Sequence, residues 1–214
     1  MMDKNFWYKR WENNDIAAFH ESEVNPFLFK HFHRLSLTQG ARVFLPLCGK
    51  TLDIHWFLSN GYRVAGAELS NIAVEQLFTE LGIKPGISAA GALNHYSANN
   101  IDIFLGDIFD LSGAMLGLVD AVYDRVALVA LPEEIRSRYA VHLSGITGQA
   151  PQLLICYEYD QNLMDGPPFS ISNREVNELY EDSYQLTLIE SCDVPGGLKG
   201  ICAAKENVWL LKNS

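Results

Sequence analysis

The chain has 214 residues, of which 48% are hydrophobic, and its formal net charge is −10. This length suits one sizeable core, so we expect a single domain over residues 1–214, with residues 1–40 packed on it as an N-terminal flap and helix. The negative charge argues against nucleic acid and anionic membranes as partners, because both attract clustered Lys and Arg. Four cysteines without a CxxC pair, no signal peptide and no long apolar run predict a cytoplasmic protein with reduced thiols, and nothing requires more than a monomer.

The predicted elements begin with a helix over residues 25–35, which has Pro26 in its first turn. Residues 41–70 follow as one βαβ unit: an apolar strand, a tight turn, an amphipathic helix and a second apolar strand that ends at Glu68. A helix capped by Ser70 comes next, and further strands then alternate with helices. Besides the strand that ends at Glu68, strands are predicted over residues 42–47, 101–105, 119–123, 152–157, 184–190 and 208–211.

This alternation predicts an α/β fold, a doubly wound and mostly parallel sheet with helices on both faces and an antiparallel edge. Residues 84–100 are rich in Gly, Ala, Ser and Asn and are predicted to be an irregular excursion that could hold one short strand. Ligands of such sheets lie beyond the carboxyl ends of the strands, so the residues that follow each strand are the candidate binding residues.

The turn after the first strand excludes two phosphate-binding motifs. Gly49-Lys50-Thr51 matches the end of a P-loop, but the glycine that the motif needs five residues earlier is replaced by Phe44. A dinucleotide fingerprint needs three glycines and only one is present, so the backbone cannot wrap a pyrophosphate closely. An ordinary strand-to-helix connection stays open as an interpretation of the turn.

Glu68 is the most informative residue at this edge. It ends the second strand 19 residues after Gly49, where a carboxylate can accept hydrogen bonds from both hydroxyls of a ribose. An incidental solvated carboxylate is the alternative. A ribose site without a pyrophosphate site favours a nucleoside ligand, and S-adenosylmethionine fits this description.

Two further strand ends carry candidate residues. Asp107 follows the strand over residues 101–105 and is placed to contact adenine, with an equal chance of being only a turn residue. Arg125 follows Asp124 at the end of a central strand, where a guanidinium could bind an anionic acceptor or the carboxylate of a cofactor. A salt bridge between Arg125 and Asp124 is the alternative.

Aromatic residues are dense near the N-terminus. Phe6 and Trp7 are predicted to fill the core, whereas Trp11 and Phe19 could cover a cationic sulfonium and a heteroaromatic substrate. The Gly-Pro-Pro-Phe segment over residues 166–169 is predicted to be a rigid loop, which could line a pocket or simply connect two elements.

Taken as a set, these segments resemble the bacterial type of the thiopurine S-methyltransferase family. The matching stretches are FWYKRW, AFH, PLCGKTLDIHWFLSNGYRVAGAELS, GDIFDL, YDRVALVAL and GPPF, and they extend from about Phe6 to Leu211. The resemblance implies a class I, Rossmann-like methyltransferase fold with a seven-stranded sheet. It also implies S-adenosyl-L-methionine as cofactor, S-adenosyl-L-homocysteine as product and no metal. By position it places cofactor contacts at Trp11, Leu47, Gly49, Glu68, Asp107, Ile108 and Arg125, a substrate contact at Phe19, and the catalytic and substrate-binding role at Arg125.

The function that the resemblance implies is in-line methyl transfer to aromatic or heterocyclic thiols, with Arg125 stabilising the negative charge of the acceptor. Methylation of small selenium or tellurium compounds and a non-catalytic S-adenosylmethionine-binding module are the alternatives. The chain departs from the family pattern twice. The segment between Trp11 and Phe19 is one residue longer, and Val126 stands where a small residue usually follows the Asp-Arg pair, which predicts a narrower acceptor pocket.

Overall fold

A computed structural model describes residues 4–17 and 19–213, which form two units, one within residues 3–121 and the other within residues 122–214. The first unit contains five helices and five strands among its described residues. They are, in chain order, α1 (Lys4–Glu12), α2 (Pro26–His31), β1 (Arg42–Leu45), α3 (Leu52–Ser59), β2 (Arg63–Glu68), α4 (Asn71–Leu81), β3 (Gly86–Ala90), β4 (Leu93–Ala98), β5 (Ile101–Leu105) and α5 (Gly113–Leu116). Short 3-10 helices follow α2 at Phe32–Leu35 and β5 at Ile108–Asp110.

The strands of the first unit lie in the order β3-β4-β5-β2-β1. β1 and β2 run parallel, with Phe44 opposite Ala65, and β2 and β5 run parallel, with Glu68 opposite Leu105. β3, β4 and β5 pair antiparallel. The interior strands are apolar and buried on both faces, as Val43, Val64 and Ile103 show, which is typical of parallel strands covered by helices.

The second unit contains four strands and two helices among its described residues. They are β6 (Ala121–Arg125), α6 (Glu133–Ile146), β7 (Gln152–Tyr159), α7 (Asn173–Tyr180), β8 (Tyr184–Asp193) and β9 (Ala204–Asn213), with 3-10 helices at Leu128–Ala130 and Gln161–Leu163. The strands lie in the order β6-β7-β9-β8, in which β6 and β7 are parallel and β9 pairs antiparallel with both β7 and β8.

Capping residues define the helix boundaries much as the sequence predicts. Asn25 caps α2 by accepting from the Phe27 amide, and Ser70 caps α4 by accepting from the Ala73 amide. α4 ends at Gly82, which adopts a left-handed conformation that glycine tolerates well. The helix predicted over residues 25–35 is α2 followed by a 3-10 turn.

The predicted count of seven strands is wrong, because nine strands occur among the described residues. The two additional strands, β3 and β4, form a hairpin inside the segment over residues 84–100 that was predicted to be irregular. β3 has the sequence Gly-Ile-Ser-Ala-Ala and is almost entirely exposed, so it lacks the alternating apolar pattern that announces a strand. Backbone hydrogen bonds to β4 hold it instead.

Candidate functional site

The Glu68 carboxylate lies at the centre of the candidate site in the first unit. It is buried at the end of β2, where one oxygen accepts from the Gly49 amide and the other from the Ser70 amide, both at 2.7 Å. Burial raises the pKa of Glu68, while the amides of Ser70, Gly49 and Leu69 oppose that rise. A carboxylate has roughly four acceptor positions, so these two bonds leave Glu68 able to accept from a ligand as well.

The turn after β1 has a strained backbone. Leu47 and Gly49 both have positive φ angles, of 47° and 54°. A left-handed conformation costs a residue with a side chain about 1–2 kcal/mol, whereas glycine adopts it freely. β1 therefore ends at Leu45, two residues earlier than the sequence predicts. Such strain is concentrated at binding sites, which supports the interpretation of this turn as more than a connection.

Gly66 explains how the turn packs onto β2. A Cβ atom at this position would lie 2.8 Å from Cys48 Sγ and 2.7 Å from Ile103 Cδ1, so only glycine leaves room for both side chains. Burial, together with the charge of Glu68, raises the pKa of the Cys48 thiol well above its ordinary value. A raised pKa favours the neutral thiol, which suits the packing of Cys48 against Gly66.

Trp11, near the end of α1, covers the turn. Its ring carbon Cζ2 lies 3.3 Å from the place where a Cβ atom of Gly49 would stand, and the side chain is 5% exposed. It packs with Ile16 and Ala73, and its ring makes an edge contact with Phe19 at a centroid distance of 5.7 Å. The indole is therefore fixed above Gly49.

Phe19 is half-buried and belongs to the same aromatic group. Trp7 makes an edge contact with it at 5.4 Å, and the Arg10 guanidinium lies 5.6 Å from its ring centroid. Phe6 and Trp7 are also half-buried, so they form this surface group and do not fill the core as predicted. Between Trp11 and Phe19, Ile16 is buried and Ala18 lies outside the described residues; the extra length of this segment stays a prediction.

Asp107 and Ile108 follow β5. Asp107 caps the 3-10 turn by accepting from the Phe109 amide at 3.0 Å, and its other oxygen lies 2.7 Å from Lys4 Nζ. Ile108 is buried. That hydrogen bond to Asp107 raises the pKa of Lys4, although burial opposes the rise. Nothing in the sequence singles out Lys4, because a surface lysine at the start of a helix carries no signal for a contact so far along the chain.

Six of the seven predicted cofactor residues thus lie at the carboxyl ends of β1, β2 and β5 or directly over them. The seventh, Arg125, belongs to the second unit, where it ends β6 and is half-buried. Val126 follows with a φ of 56°, a conformation that is unfavourable for a β-branched residue. A glycine would adopt this conformation without strain, and the narrower acceptor pocket expected from Val126 stays a prediction.

Asp124, beside Arg125, is fully buried and serves the local structure. Its carboxylate accepts from the Tyr139 hydroxyl at 2.7 Å and from the amides of Ala127 and Leu128. Burial raises the pKa of Asp124 to about 6, and these three hydrogen bonds limit the rise. Asp124 thereby ties the turn after β6 to helix α6.

The loop over residues 166–169, which was predicted to be rigid, makes several hydrogen bonds within the second unit. The Pro168 carbonyl accepts from the Tyr159 hydroxyl at 2.6 Å, the Pro167 carbonyl from Lys199 Nζ at 2.7 Å, and the Phe169 amide donates to the Val129 carbonyl. A Cβ atom at Gly166 would lie 2.6 Å from the Phe169 ring. Whether the loop lines a pocket stays a prediction.

Two features are absent from the described residues. No helix in this part of the chain is long and apolar enough to cross a membrane. Within the same residues, no cluster of three or more His, Cys, Asp or Glu side chains is arranged to hold a metal ion.

The chain matches a known protein family over almost its whole length. The model of the family described as thiopurine S-methyltransferase matches residues 2–214. A thiopurine S-methyltransferase of Xanthobacter autotrophicus is 56% identical over 213 residues, which is 100% of each chain.

Solved structures support the fold. A Burkholderia thailandensis 1,6-didemethyltoxoflavin-N1-methyltransferase aligns with a TM-score of 0.67 over 99% of this chain and 87% of its own, at 14% identity. An Anabaena variabilis S-adenosylmethionine-dependent methyltransferase aligns with a TM-score of 0.64 over 99% and 95%, at 15% identity. The predicted class I methyltransferase fold is confirmed, with the β3–β4 hairpin in addition to the seven expected strands.

Proposed function

The chain belongs to the thiopurine S-methyltransferase family, and from this premise we propose that it methylates the sulfur of aromatic or heterocyclic thiols with S-adenosylmethionine as the methyl donor. The family establishes that the protein is a methyltransferase with a small-molecule acceptor. The identity of the acceptor and the residue roles below are the proposal, as is the working of both units as one domain, which the match over residues 2–214 supports.

The main observation in support of the proposal is the environment of the Glu68 carboxylate. It is buried at the end of a parallel strand and keeps acceptor positions beyond its bonds to Gly49 and Ser70, which suits the two hydroxyls of a ribose. The backbone amides that hold it also keep the carboxylate pointed in one direction. The residues of the first unit therefore fit the nucleoside part of S-adenosylmethionine.

The neighbouring residues suit the rest of an adenosine. Trp11 and Ile108 offer apolar surface, and the Asp107 carboxylate offers an acceptor for an exocyclic amine. The Leu47–Gly49 turn brings backbone close to the ligand edge without the glycine-rich loop that a pyrophosphate requires. This set explains why a nucleoside fits here better than a dinucleotide.

When bound, S-adenosylmethionine supplies an activated methyl group on a sulfonium, whose leaving group is good enough that no metal or covalent intermediate is needed for in-line transfer to a thiol. The protein has to align the acceptor and exclude water. We assign Phe19 to stacking on a flat acceptor and Arg125 to stabilising its negative charge. Aromatic heterocyclic thiols are acidic enough that no dedicated general base is required.

Calorimetric titration with S-adenosylmethionine and S-adenosylhomocysteine, followed by a methyl-transfer assay, tests the proposal. The acceptor panel contains aromatic thiols, selenite and tellurite, and the variants are Arg125→Ala and Phe19→Ala. We expect binding, turnover with the thiols, and a raised KM for the thiols in both variants. Binding without turnover would identify a binding module, and turnover with selenite or tellurite alone would show that the proposed substrate class is wrong.

A further inference from the structure

Helix α1 crosses the row of strand ends that forms the candidate cofactor site. Its last turn holds Trp11 over Gly49, after β1, and its first residue, Lys4, reaches Asp107, after β5. β2, which ends at Glu68, lies between β1 and β5. The helix is therefore attached at both sides of the residue that we assign to the ribose.

The dimensions of the helix match this span. Lys4 and Trp11 are seven residues apart, which corresponds to about 10 Å along a helix axis. β1 and β5 are two strand spacings apart, which is also about 10 Å. α1 is thus long enough to reach, without bending, from the turn after β1 to the turn after β5.

The contact at the Lys4 end is more specific than a typical surface ion pair. Asp107 uses one oxygen to cap the turn at Phe109, which orients the carboxylate, and the other oxygen receives Lys4 Nζ at 2.7 Å. The Asp107 side chain is 16% exposed, whereas the Lys4 side chain is 44% exposed. Lys4 therefore binds a carboxylate that is already oriented and largely shielded from water, and it leaves acceptor positions on both oxygens.

We propose that Lys4 is a positioning residue for the adenine end of the cofactor: its ion pair holds the Asp107 carboxylate, which the Phe109 amide already orients, in place to accept from the exocyclic amine. The inference rests on the proposed function, because it requires an adenosine at this edge. It predicts that Lys4 affects the affinity and residence time of adenine-containing ligands and leaves the stability of the ligand-free fold nearly unchanged.

The test compares wild-type protein, Lys4→Met, Asp107→Asn and the double variant. Two probes are used, S-adenosylhomocysteine and its deaminated analogue S-inosylhomocysteine, which lacks the exocyclic amine. Affinities come from calorimetry, and release rates come from stopped-flow tryptophan fluorescence. Arg174→Met serves as the matched control, because Arg174 forms an exposed ion pair with Glu178 on α7 in the other unit.

We expect Lys4→Met to weaken S-adenosylhomocysteine about two- to five-fold and to speed its release by a similar factor, as for a partly shielded ion pair. The difference in affinity between wild-type protein and Lys4→Met should become smaller at about 0.5 M salt, where charges are screened over a few ångströms. S-inosylhomocysteine carries a carbonyl oxygen in place of the amine, so Lys4→Met should not weaken its binding. Lys4→Met should have no further effect on S-adenosylhomocysteine in the Asp107→Asn background.

Two results would overturn the inference while leaving the proposed function intact. One is wild-type affinity and release in Lys4→Met, and the other is equal weakening of both probes, which would assign Lys4 to the fold alone. Failure of the wild-type protein to bind either probe would instead reject the proposed function, and the inference with it. Urea unfolding of the ligand-free variants checks that Lys4→Met and Arg174→Met are equally stable.

Discussion

Glu68 and Asp124 are both buried carboxylates near the ends of parallel strands, but their hydrogen bonds differ. Glu68 accepts from the amides of Gly49 and Ser70 and is 6% exposed. Asp124 is 0% exposed and accepts from a tyrosine hydroxyl and two amides. Burial alone therefore does not distinguish the two carboxylates, and the proposed assignment of Glu68 to ligand binding rests on the difference in their hydrogen-bond partners.

The largest effect should follow the loss of the Glu68 carboxylate. We expect Glu68→Ala to weaken S-adenosylmethionine at least about 100-fold, because two hydrogen bonds to a charged group contribute about 1.5–3 kcal/mol each. Calorimetry measures the change, and Glu178→Ala, an exposed carboxylate on α7, is the control. An affinity within a factor of about three of wild type would remove the distinction between Glu68 and Asp124.

Replacing Asp124 should damage stability instead. Asp124→Ala leaves the Tyr139 hydroxyl and the amides of Ala127 and Leu128 buried without their acceptor, which costs about 3 kcal/mol or more. Urea unfolding measures the loss. If the ligand-free variant were as stable as wild type, the structural role of Asp124 would be wrong.

The pH dependence of Tyr139→Phe should reveal the charge of Asp124. Because the folded-state pKa of Asp124 is raised to about 6, its ionisation costs stability as pH rises from near 4 through 6, and the Tyr139 hydrogen bond offsets part of that cost. Tyr139→Phe should therefore lose about 1–2 kcal/mol more at pH 8 than at pH 5. Unfolding midpoints at the two pH values measure this difference, and Tyr8→Phe is the exposed control. If Tyr139→Phe lost the same stability at both pH values, the raised pKa assigned to Asp124 would be contradicted.

Gly49→Ala and Gly82→Ala separate backbone strain from contact with the site. Both glycines have positive φ angles, so each variant should lose about 1 kcal/mol of stability. A Cβ atom at Gly49 meets Trp11, whereas one at Gly82 meets no described atom within 4 Å. We expect calorimetry to show weaker cofactor binding only for Gly49→Ala; equal affinities in the two variants would show that the Trp11 contact is irrelevant to binding.

The smallest effect concerns Val126. Val126→Gly removes a left-handed β-branched residue and should raise stability by up to about 1 kcal/mol after the entropic cost of glycine. Val126→Ala keeps a Cβ atom and should bring little gain. Urea unfolding of both variants gives the answer, and a gain for alanine as large as that for glycine would point to side-chain packing.

Much of the fold could be predicted because its signals are local. The apolar runs of β1, β2 and β5, the caps at Asn25 and Ser70, and the stop at Gly82 all lie within a few residues of the element that they define. The β3–β4 hairpin could not be predicted, since its exposed Gly, Ser and Ala residues carry no apolar pattern. The roles of Phe6 and Trp7 were wrong because aromatic composition does not distinguish a core from a surface cluster.

The family resemblance, the α/β order of elements and the place of Glu68 at a strand end could be predicted from the sequence, because they depend on residue types at fixed spacing. The tertiary structure decided which carboxylate keeps acceptor capacity, where Trp11 lies, and that Lys4 reaches Asp107. It also identified backbone strain at Leu47 and Val126. These features depend on contacts between residues far apart in the chain and on dihedral angles, and neither is encoded in a local pattern.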